Sequence, residues 1–248
     1  MIHYHGGPIW PTTAAVALWT RRHGMTSFAH PAQVALMFEV CQSAVIDCGA
    51  FTTWRAGEGE VDSPAYHDFV RGWEKHPGFD WALIDDEIEG DEHANDARIE
   101  GWLAVGMKNG VPVWHLHESL ERLQALTVGF PRVALGSSGQ WATPGTEDWW
   151  RRMEEVREVV CDELGRPKVK LHGLRMLSPT IFSHIPLSSA DSCNVALNIG
   201  KDVKWSGTYQ PLTAATRALV LAERIEQHAA AVTWSKRHGV QMNLELIG

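Results

Sequence analysis

Two aspartates have a sequence context that suits chemistry, because each follows small or apolar residues where a buried strand would end. Asp47 closes the segment AVID, and Asp191 lies in SSADSC. A carboxylate is costly to bury without a partner, so such positions are typical of reactive or paired groups. Two carboxylates in one pocket can displace a group at a sugar carbon, one as nucleophile and the other exchanging a proton with the leaving or incoming group. Each aspartate alone could instead be a helix N-cap or half of a structural ion pair.

Polar residues that follow other apolar segments could bind a planar ligand. Asp85 and Asp86 end the segment ALIDD, where a carboxylate could accept hydrogen bonds from the N–H groups of a nucleobase. His172, beside Gly173, could stack on such a base or could be a satisfied histidine at a barrel rim. A turn of small residues would let a planar ligand approach closely, or could be a plain tight turn. That turn consists of Gly136, Ser137 and Ser138.

Histidines spaced two residues apart offer a different chemistry. His3 and His5 share one side of the first predicted strand, and His115 and His117 repeat the spacing later. Metal-dependent hydrolases built on barrels combine a first-strand His-x-His with later histidines and a last-strand aspartate, a place that Asp191 could fill. The ligand set is incomplete, since the fourth and sixth strands supply no lysine or histidine. We therefore predict no metal and keep this hydrolase as an alternative.

Short apolar segments that alternate with helical patterns must position these residues. The eight segments are residues 2–5, 26–29, 44–46, 81–84, 111–116, 132–135, 168–171 and 187–190. Helices are predicted to begin at Ser63-Pro64, at Thr146 and at Thr213, the last extending to His238. Eight strand–helix repeats in about 250 residues predict a (β/α)8 TIM barrel, a single α/β domain over residues 1–248. A doubly wound open sheet is the alternative if two strands are wrongly identified.

Composition limits the setting in which this chain works. The chain has 248 residues, of which 44% are hydrophobic, and a net charge of −8, which suits a folded domain. No segment reaches the length of apolar sequence that crosses a bilayer, so we expect no membrane partner. Four cysteines without CxxC spacing indicate reduced thiols in a cytoplasmic protein and no structural zinc site.

Basic residues concentrate in one stretch despite the negative net charge. The charge disfavours broad binding to phosphates, yet residues 165–204 could form a basic rim beside the pocket. Its basic members are Arg166, Lys168, Lys170, Arg175, Lys201 and Lys204.

Six of these motifs, taken in order, resemble the tRNA-guanine transglycosylase superfamily, barrel enzymes that exchange a nucleobase, and its relatives that act on modified bases in DNA. VIDCGAF resembles the family's Asp-Ser-Gly-Gly-aromatic motif, ALIDDE its Phe-Asp-Glu, and PVWHLHE lies where the family has Gln-Gly-Gly. VALGSSGQW is similar to Leu-Gly-Gly-Leu-Ala, KLHGLRM to Leu-Met-Gly-Val-Gly, and SADSCN to Phe-Asp-Cys. The resemblance covers residues 44–198.

The resemblance implies a role for each matching residue. Asp191 would be the nucleophile at C1′ and Asp47 the general acid/base. The base would lie between Phe51 and His172. Its edge would be read by Asp86 or, as second choice, Asp85, by the turn of Gly136, Ser137 and Ser138, and by His117 or His115 in place of the family's glutamine.

Departures from the family pattern narrow the expected substrate. The tRNA enzymes carry a cysteine-rich zinc module near the C-terminus, whereas Cys193 is the single cysteine after Asp191 here, so DNA is expected rather than tRNA. Serines at 137 and 138 and histidine in place of glutamine favour a modified base over guanine. We therefore expect a DNA glycosylase that flips out and excises a modified base without a cofactor, in a role such as defence against modified DNA. Base exchange by a transglycosylase and a non-catalytic base-binding module are the alternatives.

Overall fold

The computed structural model describes residues 1–57 and 59–235. Its strands are β1 (Ile2–Gly6), β2 (His23–Ser27), β3 (Ser43–Asp47), β4 (Phe79–Leu83), β5 (Gly110–Val111), β6 (Val113–His115), β7 (Arg132–Gly136), β8 (Lys170–Gly173) and β9 (Ser189–Ser192). Its helices are α1 (Thr12–Trp19), α2 (Pro31–Val40), α3 (Ala50–Ala56), α4 (Ser63–Trp73), α5 (Glu92–Ala104), α6 (Leu120–Gly129), α7 (Glu147–Val160), α8 (Pro179–Phe182), α9 (Asn194–Asn198) and α10 (Ala214–Glu226).

The strands pair in parallel in the order β5-β4-β3-β2-β1-β9-β8-β7-β6. The two edge strands, β5 and β6, are consecutive pieces of one segment that Pro112 interrupts, because proline has no backbone N–H to donate to a ladder. The sheet therefore returns to its starting segment and forms a nearly closed barrel of eight strand positions. The predicted α/β barrel is confirmed as a single domain of the described residues, and the open-sheet alternative is wrong.

Alternate residues of the strands divide between two cores. Side chains that point inward fill the barrel, and those that point outward pack against the helices. The inner core consists of Tyr4, Met25, Val45, Trp81, Leu83, Val111, Val113 and Ala134. At the amino ends of the strands, the Tyr4 hydroxyl donates to Asp80 Oδ2 at 2.6 Å, and Arg132 lies over the Trp81 ring. This end of the barrel is filled by side chains, so the opposite end is the one open to chemistry.

Helix starts follow the predicted caps. Asp62 caps α4 just before Ser63-Pro64, Thr146 caps α7 and Thr213 caps α10, each accepting a backbone N–H of the first turn. The predicted extent of α10 is wrong: it ends at Glu226, and the chain then packs back so that Trp234 N–H bonds Gly165 O. Residue 238 lies outside the described residues. No helix in the described part of the chain is both long and apolar enough to cross a bilayer.

Four strands lie displaced from their predicted positions. β2 starts three residues earlier than predicted and β4 two residues earlier, and β8 and β9 start two residues later. In each case, a polar or glycine-containing stretch joins the ladder because parallel pairing uses the backbone, whatever the side chain. The shift places His172 and Asp191 inside β8 and β9 rather than in the loops that follow them.

Close packing at Gly110 should make the barrel seam sensitive to a single methyl group. A Cβ at this position would lie 2.4 Å from Trp102 Nε1, on a buried tryptophan of α5. Gly110→Ala should therefore lower the free energy of unfolding by about 1–3 kcal/mol, measured by urea denaturation. Gly101→Ala, one residue before Trp102 with open space around it, should instead raise it by about 0.5–1 kcal/mol through helix propensity. Equal effects of the two alanines would contradict this account.

Candidate active site

Three carboxylates meet at the carboxyl ends of the strands, which we call the mouth of the barrel. Asp47 is the last residue of β3, Asp86 follows β4, and Asp191 lies in β9. The charges of Asp86 and Asp191 both act on Asp47, so the three groups share one electrostatic environment. The predicted pair, Asp47 and Asp191, is thus brought to the same end of the barrel by strands that are far apart in the chain.

Asp47 is held in a position that favours its protonated form. Its Oδ1 accepts the Gly49 N–H at 3.1 Å, and Gly49 has a left-handed backbone with φ of 90°. A Cβ on Gly49 would lie 2.6 Å from Ser27 Oγ, so glycine is needed for both space and conformation. Burial, and then the negative charges of Asp86 and Asp191, raise the pKa of Asp47 to about 6. A carboxyl with this pKa can donate and accept a proton near neutral pH.

Asp191 is held by donors. The Arg175 backbone N–H donates to its Oδ1 at 3.0 Å, and His172 Nε2 lies 3.4 Å from the same oxygen. Burial lowers the pKa of His172, so its ring is neutral. A proton on Nε2 would face this carboxylate, and Nδ1 would then accept from Ser189 Oγ at 2.9 Å. The neutral ring therefore brings no positive charge beside Asp191.

Asp86 is contacted on both carboxylate oxygens. The Cys48 thiol donates to Oδ1 at 3.2 Å, and His115 Nε2 lies 2.8 Å from Oδ2. Gly136 faces His115, where a Cβ would lie 3.2 Å from its Nδ1, so the small residue makes room for the imidazole. Asp86 therefore stands in the mouth with a fixed orientation and with lone pairs left to accept from a ligand.

Asp85, the second-choice residue for reading the base, points away from the mouth. His67 Nε2 lies 2.8 Å from its Oδ1, the Ser63 hydroxyl donates to its Oδ2 at 2.5 Å, and Arg98 lies 3.7 Å away. The residue is 2% exposed. Its place as a base-reading residue is thereby corrected: Asp85 ties the end of β4 to α4 and α5, and so fixes its neighbour Asp86.

The turn after β7 and the two later histidines form one wall of the mouth. His117 Nδ1 lies 2.8 Å from Ser138 Oγ, and the His117 and His115 rings are stacked at 5.6 Å. His117 is exposed and His115 is buried, so the exposed ring lies over the one that touches Asp86. Ser137 Oγ accepts the Trp149 indole N–H at 2.9 Å. The Ser137 hydroxyl therefore anchors α7 to the turn. The Ser137 backbone carbonyl is not used in this contact and can accept from a different group.

The predicted sandwich of Phe51 and His172 is not formed by these side chains. His172 is fully buried, with the rings of Trp81 and Tyr4 edge-on to it at 4.8 and 6.0 Å. It lies in the barrel interior and supports Asp191, so its stacking role is corrected. Phe51, in α3, is 38% exposed and remains able to stack on a ligand.

Gly173 faces the outer core instead of the mouth. A Cβ there would lie 2.8 Å from both Leu187 and Met176. Because adjacent residues of a strand point to opposite faces, an inward His172 requires an outward Gly173. Its predicted substrate contact is therefore replaced by a packing role.

Arg175 is the main site residue that the motif comparison did not assign. Its guanidinium lies 4.8 Å from the Phe51 ring centre and donates to Ser137 O at 2.5 Å. The sequence signal was its place directly after the strand that carries His172. Three other basic residues of the predicted rim lie away from the mouth: Lys170 starts β8, and Arg166 and Lys168 precede it, at the far end of the barrel.

Two thiols lie beside the carboxylates and are unsuited to nucleophilic attack. Burial raises the pKa of Cys193 to about 12 and that of Cys48 well above its usual range, with nearby aspartates adding to both shifts. A thiol must ionise to act as a nucleophile. Both cysteines are therefore neutral parts of the wall.

A groove of about 460 Å³ opens from Asp86 between α3 and the loop after β4. Trp54, Val61 and Ile88 give it apolar sides, and Glu87 and Glu89 add negative charge. It is large enough for a substituent carried by a planar ligand that is held at Asp86.

The first-strand histidines of the metal alternative lie outside the barrel. His5 Nε2 lies 2.8 Å from Glu226 in α10, and the His3 ring packs at 5.3 Å from Phe182. Neither can meet Asp191 in the mouth. Within residues 1–57 and 59–235, no three His, Cys, Asp or Glu side chains are grouped to hold a metal ion.

The chain matches no protein-family model, no curated protein and no solved structure.

The raised pKa of Asp47 predicts a specific pH dependence of stability. Because its folded pKa is about 6, above the value of about 4 expected in the unfolded chain, folding takes up a proton between these values. Its contribution to stability is therefore present at low pH and is lost as the pH rises through 6. Asp47→Asn should gain about 1–3 kcal/mol relative to the native chain between about pH 4 and pH 7.

Urea denaturation across this pH range measures the difference. Asp68→Asn serves as the control, since the Asp68 side chain is 77% exposed on α4. Its stability relative to the native chain should stay level. A level difference for Asp47→Asn as well would reject the raised pKa.

Proposed function

We propose that this chain is an enzyme that cleaves the N-glycosidic bond of a nucleobase, with Asp191 as nucleophile and Asp47 as general acid/base. The observation that carries the proposal is that two aspartates at one mouth have different surroundings. Asp47 has a pKa raised to about 6, and Asp191 is held by a backbone N–H and a neutral histidine. Carboxyl groups whose environments differ in this way are suited to acid and nucleophile roles.

In the first step, an Asp191 carboxylate oxygen attacks C1′ of the sugar. The bond between C1′ and the base nitrogen breaks, and its electron pair goes to the base. Asp47, protonated at the start, gives its proton to the departing base, which leaves as a neutral molecule. The sugar remains esterified to Asp191, as in retaining glycosidases.

In the second step, Asp47 is a carboxylate and acts as a base. It takes a proton from water, whose oxygen attacks C1′ and releases Asp191. The sugar then carries a hydroxyl at C1′, and both aspartates return to their first state. A second nucleobase in place of water would give base exchange, the alternative reaction of the same residues.

The base is proposed to bind between Phe51 and the turn after β7. Asp86 can accept from N–H groups on the base edge, and the groove beside it can take a substituent. This arrangement uses Phe51, Asp86, Ser137 and His117, four of the residues expected from the sequence. It supports a modified base, because an unmodified one would leave the groove empty.

DNA remains our proposed source of this base, with a free nucleoside as the competing source. A nucleotide flipped out of DNA and a nucleoside present the same sugar and base to the mouth. Substrates in both forms, with normal and modified bases, separate the two sources. Free base measured by mass spectrometry, together with assay of abasic sites, distinguishes excision from exchange.

Replacement of the nucleophile is the direct test of the mechanism. Asp191→Asn should lower base release by at least about 10³-fold, corresponding to about 4 kcal/mol of barrier, because the amide cannot form the ester. Amide and carboxylate have nearly the same shape, so the thermal midpoint of unfolding should change little. Asp148→Asn, on the exposed face of α7, makes the same charge change and should leave base release at the native rate. Native activity in Asp191→Asn would refute the assignment.

The general acid predicts the pH profile of the reaction. Because kcat/KM for bond cleavage depends on protonated Asp47 in the free enzyme, it should fall as the pH rises above about 6, approaching tenfold per pH unit. Asp47→Asn should be slower and should lose this decline. An identical decline in the variant would assign the titration to another group. A base-binding module without catalysis would show binding in both variants and base release in neither of them nor in the native chain.

A further inference from the structure

Arg175 spans the mouth through two different parts of the residue. Its backbone N–H holds Asp191, while its guanidinium reaches across to the carbonyl of Ser137 and lies over Phe51. The backbone has a φ of 60°, in the left-handed region that side chains other than glycine rarely adopt. This conformation lets one residue turn its N–H toward β9 and its side chain toward β7 and α3.

The guanidinium has the shape and donors of a nucleobase edge. It is planar, carries N–H groups in its plane, and is placed over an aromatic ring. One N–H donates to Ser137 O at 2.5 Å, a carbonyl of the turn that the proposed base would contact. A base with N–H donors stacked on Phe51 would need the same ring face and the same carbonyl. Both cannot occupy this position together.

We infer that the Arg175 side chain fills the base subsite in the free protein and is displaced by the substrate. The inference rests on the proposed function, since it assigns the base to Phe51 and Ser137. The ligand class is a planar nucleobase with at least one N–H donor on its edge. On binding, the base takes over the Phe51 face and the Ser137 carbonyl, and the guanidinium turns outward to solvent.

The loop can release the side chain without losing its backbone anchors. Leu174 N–H bonds Leu135 O, and Leu177 N–H bonds Asp191 O, on either side of Arg175. Both bonds, and the Arg175 N–H that holds Asp191, belong to the backbone. The nucleophile therefore keeps its support while the guanidinium leaves, and Arg175 is already an exposed residue.

The variant Arg175→Gly removes the side chain and tests its effect separately from that of the backbone. Glycine adopts a φ of 60° without strain, so the backbone N–H to Asp191 should be kept. The probes are four soluble bases with a methyl group in place of the sugar: 9-methylguanine, 9-methyladenine, 1-methylcytosine and 1-methyluracil. Calorimetric titration should show the best of them binding at least about fivefold more tightly to Arg175→Gly than to the native chain, because no side chain competes for the subsite.

Arg21→Gly is the matched control. Arg21 also has a left-handed backbone, with φ of 62°, and it lies before β2 at the far end of the barrel. This variant makes the same substitution in the same conformation, and it should bind the probes as the native chain does. Its thermal midpoint and that of Arg175→Gly should both be at or above the native value.

Arg175→Lys separates shape from charge. Lysine keeps the positive charge and lacks the planar fork, so it should also bind the best probe more tightly than arginine does. Equal affinity of the lysine variant and the native chain would attribute the effect to charge and overturn the inference.

The inference is also overturned if Arg175→Gly binds every probe as weakly as the native chain, or more weakly. The second result would mean that the guanidinium holds the base instead of taking its place. Base release is assayed separately. Tighter binding to Arg175→Gly with no base release by the native chain would support the base subsite and reject the proposed function. Base release without tighter binding would support the proposed function and reject the inference about Arg175.

Discussion

Closure of the sheet at Pro112 is the constraint on which the site depends. Because β5 and β6 are one interrupted segment, β4 and β7 are both tied to it, and the carboxyl ends of all the strands face one opening. Asp47 and Asp191 belong to strands separated by β1 and β2 along the wall, and curvature of the wall brings them within electrostatic reach of each other. An open sheet with the same strand order would place their side chains in a row, too far apart to act on one atom.

Closure brings three carboxylates close enough to repel one another, and each of them has different neighbouring groups. Three like charges in one mouth raise the free energy of their ionised forms. His115 and the Cys48 thiol contact the carboxylate of Asp86. A backbone N–H and a neutral imidazole lie beside that of Asp191. At Asp47, burial and the charges of Asp86 and Asp191 outweigh the hydrogen bonds from Gly49 and Cys48, and the pKa rises. The acid and nucleophile roles that we propose therefore rest on these unequal surroundings and not on residue type.

Strand ends could be predicted from the sequence because apolar segments that a turn follows are a local signal. That signal placed Asp47 and Asp86 correctly at the mouth. It could not separate Asp85 from Asp86, since their difference depends on His67 and Ser63 of α4, which contact Asp85 only in the folded chain.

A two-residue shift of β8 explains the largest error. His172 was expected beyond a strand end, but pairing with β7 and β9 includes it in the strand, and strand alternation turns it inward. Phe51 thus lost its predicted partner. The side chain that lies over Phe51 instead is Arg175, a loop residue with a left-handed backbone. Neither the spacing of apolar residues nor a helix-capping residue predicts such a conformation from the sequence. The metal alternative failed for a related reason: His3 and His5 share a strand face, as predicted, but it is the outer one.

The charge at the mouth affects which substrates can approach it. Of the basic residues between 165 and 204, Arg166, Lys168 and Lys170 lie at the opposite end of the barrel, and Arg175 contacts Asp191 through its backbone N–H. Glu87 and Glu89 add further negative charge to the groove. A polyanion would have to approach this rim against repulsion, and salt would weaken that repulsion within about 10 Å. A neutral base and sugar meet no such barrier. A substrate of the proposed kind would therefore be recognised through the base and its edge, with little contribution from phosphate contacts, whether the nucleotide comes alone or is turned out of a strand.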